Sequence, residues 1–100
     1  MRIDFHPEAT QELADAAEWY LNRSPRAACD FAVEIERALD KIHADPRRFA
    51  TIGTGFRACS VERFPFQVVF RTDPHRLFVI AVAHAKRRPG YWQSRGNAGP

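Results

Sequence analysis

Leu77-Phe-Val-Ile-Ala-Val-Ala-His84 runs unbroken through apolar residues and passes at once into Ala85-Lys-Arg-Arg-Pro-Gly-Tyr-Trp92. A run of this length, rich in Val and Ile and closed by a Pro-Gly turn signal, predicts a strand covered on both faces and lying inside a sheet. The three cations and two aromatics behind it are then held at the mouth of a core. Cations beside aromatics suit phosphate, base or charged protein partners.

Working back from this strand, residues 67–72 and 56–62 also read as strands. Phe64-Pro-Phe66 and Asp73-Pro-His75 are short enough to join all three strands as an antiparallel meander. Upstream of residue 48 the period changes to helical. His6-Pro7-Glu8 opens a helix with Pro at its first position and an acid in its first turn, and Ala9, Leu13, Ala16, Ala17 and Tyr20 define its buried face. Ser24-Pro25 repeats the start signal for a second helix on Phe31, Ile35, Ala38, Leu39 and Ile42, which Asp45-Pro46 ends. So short a connection predicts an antiparallel helical hairpin. Residues 1–5 alternate like a strand that can join the sheet in either direction.

The expected order is therefore β-α-α-β-β-β, an α+β fold with the hairpin packed on one face of a small, largely antiparallel, four-stranded sheet. Phe31, Ile35, Leu39, Val68, Phe70, Phe78, Ile80 and Val82 are expected to share one core. Residues 1–92 form a single domain in this reading, and the polar residues 93–100 form a flexible tail.

The net charge of +3 hides a separation of signs. Residues 1–45 hold ten acids against five bases, a net of −5, whereas residues 46–100 hold ten bases against Glu62 and Asp73, a net of +8. Nine of those ten bases are Arg, the side chain suited to phosphate and carboxylate forks. No apolar run approaches membrane-spanning length and no signal segment opens the chain, so the cytoplasm is the expected compartment and no membrane the expected context. Cys29 and Cys59 read as buried, reduced thiols with no second pair to make a disulfide framework. His6, His43, His75 and His84 show no metal-ligand spacing, so neither a metal nor a cofactor is expected. Glu8, Glu12 and Asp15 are expected to face water, and Ser60 and Cys59 have no base partner in sequence to make either a nucleophile.

By strand parity Arg57 and Arg63 share a face with Cys59 and Val61, while Gln67 and Arg71 share one with Val69. Parity leaves open which face the helices cover. Lys86, Arg87, Arg88 and Tyr91 can rim the uncovered face, and His84, ending the strand beside them, reads either as a site residue or as a strand-end histidine bonded to backbone. Metal-free RNA cleavage needs a base, cations for the phosphorane and an acid, roles that Lys, Arg and Tyr can fill. The same residues equally suit an acidic protein.

Phe5-His-Pro-Glu-Ala9, Trp19-Tyr20, Ser24-Pro25 with Phe31, Asp45-Pro-Arg-Arg-Phe49, Arg63-Phe-Pro-Phe-Gln-Val-Val-Phe-Arg71 and Ala81-Val-Ala-His-Ala-Lys-Arg-Arg-Pro-Gly-Tyr-Trp92 together resemble the RelE/ParE superfamily over residues 1–92. These are small toxins of type II toxin–antitoxin modules, often labelled plasmid stabilisation proteins. The resemblance implies a cognate antitoxin that oligomerises with the toxin and covers its functional surface. The RelE branch implies ribosome-dependent cleavage of mRNA, here through Lys86, Arg87 and Tyr91. The ParE branch implies binding of a protein target such as DNA gyrase. Gln67 stands where the RelE pattern carries an arginine, and Pro89-Gly90 cuts short the long C-terminal helix, so the resemblance is to the ParE-like branch. A third reading is an inactive toxin-derived domain that binds antitoxin alone. The residues expected at the binding surface are Arg57, Arg63, Gln67, Arg71, His84, Lys86, Arg87, Arg88, Tyr91 and Trp92.

Overall fold

The computed structural model describes residues 2–98 of the chain. Strand β1 (Arg2–Phe5) leads into helix α1 (Pro7–Arg23), where His6 Nδ1 accepts from the Glu8 N–H at 3.1 Å and Pro7 sits where a missing N–H costs nothing. Ser24 then serves two helices. Its N–H donates to Tyr20 O at the end of α1, and its Oγ accepts from the Ala27 N–H at the start of α2 (Pro25–Ala44), so a single residue joins the hairpin.

After α2 a 3-10 turn (Pro46–Arg48) brings the chain to β2 (Thr51–Ile52), β3 (Phe56–Val61), β4 (Phe66–Thr72) and β5 (Arg76–His84). The sheet order is β1-β5-β4-β3-β2, with β1 parallel to β5 and every other pair antiparallel. The apolar strand β5 therefore lies between two strands over Arg76–Val79, as its composition predicts, and beyond Val79 it pairs with β4 alone. The sheet has five strands where four were expected, because the two-residue β2 folds back on β3 through Gly53 and Gly55, both at positive φ. Two residues are too few for an alternation signal.

The expectation of one core needs correction. Phe31, Ile35, Val68, Phe70, Leu77, Val79 and Val82 pack beneath the helices, with Leu39 at the margin. Phe78 and Ile80 lie on the opposite face with Phe56, Val69, Ala81, Ala83 and Trp92. Strand alternation separates Phe78 from Leu77 and Val79. A β-bulge, where β4 passes from Val69 to Phe70 while β5 skips from Ala81 to Val79, then puts Ile80 and Ala81 on the same face.

That second face is covered by the C-terminus. Residues 93–98, expected to be part of a flexible tail, form helix α3 (Gln93–Ala98), in which Arg95 is buried; Gly99 and Pro100 of that tail lie outside the described residues. Gly96 is required there, since a Cβ on it would overlap the ring of Phe56. Cys59 is buried as expected and burial pushes its thiol up, but Cys29 is exposed on the outer side of α2.

Candidate functional site

Strand β1 has four residues and β5 nine, so β1 leaves the sheet with half of β5 still unpaired on that side. The last contact is from the His6 N–H to Val79 O at 2.8 Å, after which Pro7 turns the chain into α1. Buried backbone groups left there must find partners. Two side chains stand in for the missing strand: Glu12 Oε1 accepts from the Val82 N–H at 3.0 Å, and Arg95 Nη1 donates to Ile80 O at 3.2 Å.

The same two side chains grip each other in a two-pronged pair, Nη1 to Oε1 at 2.9 Å and Nη2 to Oε2 at 3.0 Å. The Tyr91 hydroxyl donates to Glu12 Oε2 at 2.6 Å. Glu12 thus departs from the expectation that the acids of α1 face water. Burial by itself would raise its carboxyl, but hydrogen bonds from Arg95, Tyr91 and the Val82 N–H outweigh that and hold it below its ordinary value. Burial and then the Glu12 carboxylate push the Tyr91 phenol up to about 12.

The residues expected at a binding surface divide among several places. Arg57 donates to Phe49 O and pins the turn after α2. Arg63 occupies the left-handed region (φ 71) in the β3–β4 turn and pairs with Asp30 at 3.5 Å and Glu34 at 3.6 Å on α2. Both therefore work on the helix side, away from Gln67. Glu34 is buried, with Oε2 on Arg37 at 3.2 Å and Oε1 without a partner among the described residues. Arg71 donates to Gly96 O at 2.9 Å, holding α3 down, and Trp92 is buried edge-on against Phe56 with ring centroids 4.8 Å apart. Arg87 lies over the Tyr91 ring at 3.9 Å.

Gln67, Lys86 and Arg88 remain exposed. Gln67 opens on a depression of about 340 Å³ shared with Pro89, Gly90 and Trp92, whereas Lys86 borders a different cleft of about 410 Å³ against α1. His84 Nδ1 accepts from the Lys86 N–H at 3.0 Å, which is the backbone-bonded strand-end role. Among the described residues no cluster of His, Cys, Asp or Glu is placed to hold a metal ion, and no helix is long and apolar enough to cross a membrane.

Two comparisons bear on this arrangement. The family described as ParE toxin of type II toxin-antitoxin system, parDE, matches residues 3–89. The chain belongs to the ParE toxin family. A solved structure entitled Chromosomal ParDE TA system from P. aeruginosa is similar with a TM-score of 0.73 and 18% identity, over 86% of this chain and 97% of that one. At that identity the likeness speaks for the ParE fold alone. No curated protein matches.

The family match ends at residue 89, so Tyr91, Trp92 and Arg95 lie beyond it while Glu12, their anchor, lies within. In this ParE chain the C-terminal strap is thus fastened to the part of the fold that the family match covers by the Glu12 carboxylate, together with Arg71 at Gly96 O and Ile80 O at Arg95. Sequence reading missed Glu12 and Arg95. The available signal was faint: Glu12 lies three residues after Ala9 and four before Ala16, at the border of the apolar stripe of α1.

Proposed function

We propose that this ParE-family protein is a growth-inhibiting toxin, neutralised by a cognate antitoxin in the cytoplasm, and that it acts by binding a protein target such as DNA gyrase. The observation that carries the reading against RNA cleavage is the engagement of Tyr91. Its hydroxyl is committed to Glu12 at 2.6 Å and its pKa is pushed up to about 12, which suits it to holding its proton and makes it a poor acid or base near neutrality. Arg87 is stacked on that same ring. A neutral amide at Gln67 can donate a hydrogen bond to a developing phosphorane but brings no full charge, and loss of one such stabilising contact costs about a hundredfold or more in rate.

Fold membership is shared by chains of different activity, so the target must be tested directly. Purified protein is added to a gyrase supercoiling assay and, separately, to a translation extract programmed with a defined message. Inhibited supercoiling without new primer-extension stops supports the reading. Stops at ribosomal A-site codons, lost on Arg87→Ala or Tyr91→Phe, overturn it in favour of a ribosome-dependent nuclease. Inactivity in both, with antitoxin binding retained, leaves a toxin-derived binding domain.

A further inference from the structure

The strap from Tyr91 to Gly96 meets the rest of the chain as a plug meets a socket. The socket sets three requirements at fixed places: a guanidinium reaching both Glu12 oxygens and Ile80 O, a hydroxyl on Glu12 Oε2, and a residue without Cβ against Phe56. Arg95, Tyr91 and Gly96 meet them. An empty socket is costly, because Glu12 loses its countercharge, the buried Ile80 O loses its donor, and the apolar face around Phe56, Val69 and Phe78 loses its cover.

The segment that carries the plug is held far more lightly. Residues 85–90 belong to no strand or helix, and 85–89 are exposed. Beyond the Ala85 N–H bond to Pro65 O at its root, the segment is folded by three local contacts: the Lys86 N–H on His84 Nδ1 at 3.0 Å, the Arg87 N–H on His84 O at 3.0 Å and the Tyr91 N–H on Arg88 O at 3.3 Å. Water replaces such exposed turn bonds at little net cost. Gly90, at φ 77, turns the chain back toward its own body. Straightened, six residues span about 20 Å, enough to carry the strap away from that body.

Opening thus costs the socket much and the hinge little. Two opened chains recover the loss by exchange, since a second copy carries Tyr91, Arg95 and Gly96 at the spacing the socket requires. We infer that two copies of this chain dimerise by exchanging C-terminal straps, with Tyr91 and Arg95 of one protomer closing on Glu12 of its partner. The inference does not depend on the functional reading above. Closure within one chain competes at an effective concentration in the millimolar range, as for any short linker, so the monomer dominates at micromolar concentration and the exchanged dimer fills toward millimolar.

Sedimentation from micromolar to millimolar protein, after brief warming to open the strap, tests this on five samples. They are the wild-type chain, a chain lacking Arg88 and Pro89, Glu12→Ala, Arg95→Ala, and an equal mixture of the last two. Far-ultraviolet circular dichroism establishes that each keeps its two long helices. The shortened segment prevents closure on the same body, so that chain should dimerise at a concentration about a hundredfold lower than wild type. Glu12→Ala and Arg95→Ala should each stay monomeric. Their mixture should dimerise, because one brings an intact strap and the other an intact socket. A wild-type chain monomeric throughout, a monomeric shortened chain or a monomeric mixture each overturns the inference. Dimerisation of Glu12→Ala alone at wild-type strength also overturns it, by assigning the contact to another surface.

Discussion

The two faces of the sheet are covered by very different means. One is packed beneath two helices of 17 and 20 residues, with Phe31, Ile35 and Ile42 of α2 buried against Val68 and Phe70 of β4. The other lies under a six-residue helix and one indole, secured by a carboxylate on the far helix and by Arg71. A helix that short has no stability of its own in water, so its order derives from what it touches. The helix face should therefore open only when the whole domain unfolds. The strap face should open by itself, at lower free energy.

Phe31→Ala should have the largest effect, about 4 kcal/mol, because it empties a fully buried aromatic site between α2 and the sheet. At about 4–8 °C per kcal/mol for a domain of this size, the loss should appear as a single, strongly lowered melting transition. A small shift with local amide exchange near Phe31 only would break the contrast between the faces.

Glu12→Ala comes next, at about 3 kcal/mol, since it leaves the buried Arg95 and the Val82 N–H without their partner. Hydrogen exchange should quicken from residue 89 onward and at Val82, with the helices protected as before. The pH dependence has a fixed sign at each end. Glu12, held below its ordinary 4.5, contributes fully above that value, and its contribution is lost as pH falls through the depressed folded value. Tyr91, raised to about 12 from 10.0, contributes fully below 10.0 and loses that contribution as pH climbs toward 12. In a Tyr20→Phe background the ultraviolet titration of Tyr91 should centre near 12, and Glu12→Gln should bring it down toward 10.

Gly96→Ala should cost about 2 kcal/mol, because the added methyl overlaps the Phe56 ring under α3. Combined with Glu12→Ala it sharpens the comparison. If the strap releases as one unit, the second substitution adds little to the first, and the double mutant falls well short of the sum. Full additivity would mean that the strap is not a unit.

Ser24→Ala should have the smallest effect, about 1 kcal/mol, from loss of the cap that Oγ provides to the Ala27 N–H. It belongs to the helix face, so it should lower the global transition and leave exchange in the strap unchanged relative to the rest.

Much of the helix face was legible in the sequence because its signals are local. Pro7 and Pro25 at helix starts, Ser24 between the helices and the repeat of Phe31, Ile35, Ala38 and Ile42 each report on neighbours within one or two turns. The same locality explains why residues 77–84 could be assigned to a strand covered on both faces. The direction of β1, the bulge that turns Ile80 and Ala81 to the same side, and the short β2 depend on which strands meet, and no periodicity within a strand reports that.

The candidate site shows the limit more sharply. Arg57, Arg63 and Arg71 were legible as basic residues of sheet and turn, but not as the supports of a turn, a hairpin and a helix. Lys86 was legible as a cation, while Trp19 became its neighbour only through the crossing of α1 over the end of the sheet. The amino-acid sequence alone determined the family fold, the order of its elements apart from β2 and α3, and the separation of charge. Tertiary structure alone decided that Glu12 meets Arg95 across 83 positions of chain, because an unpaired stretch of strand edge required partners and the folded chain brought those two side chains to it.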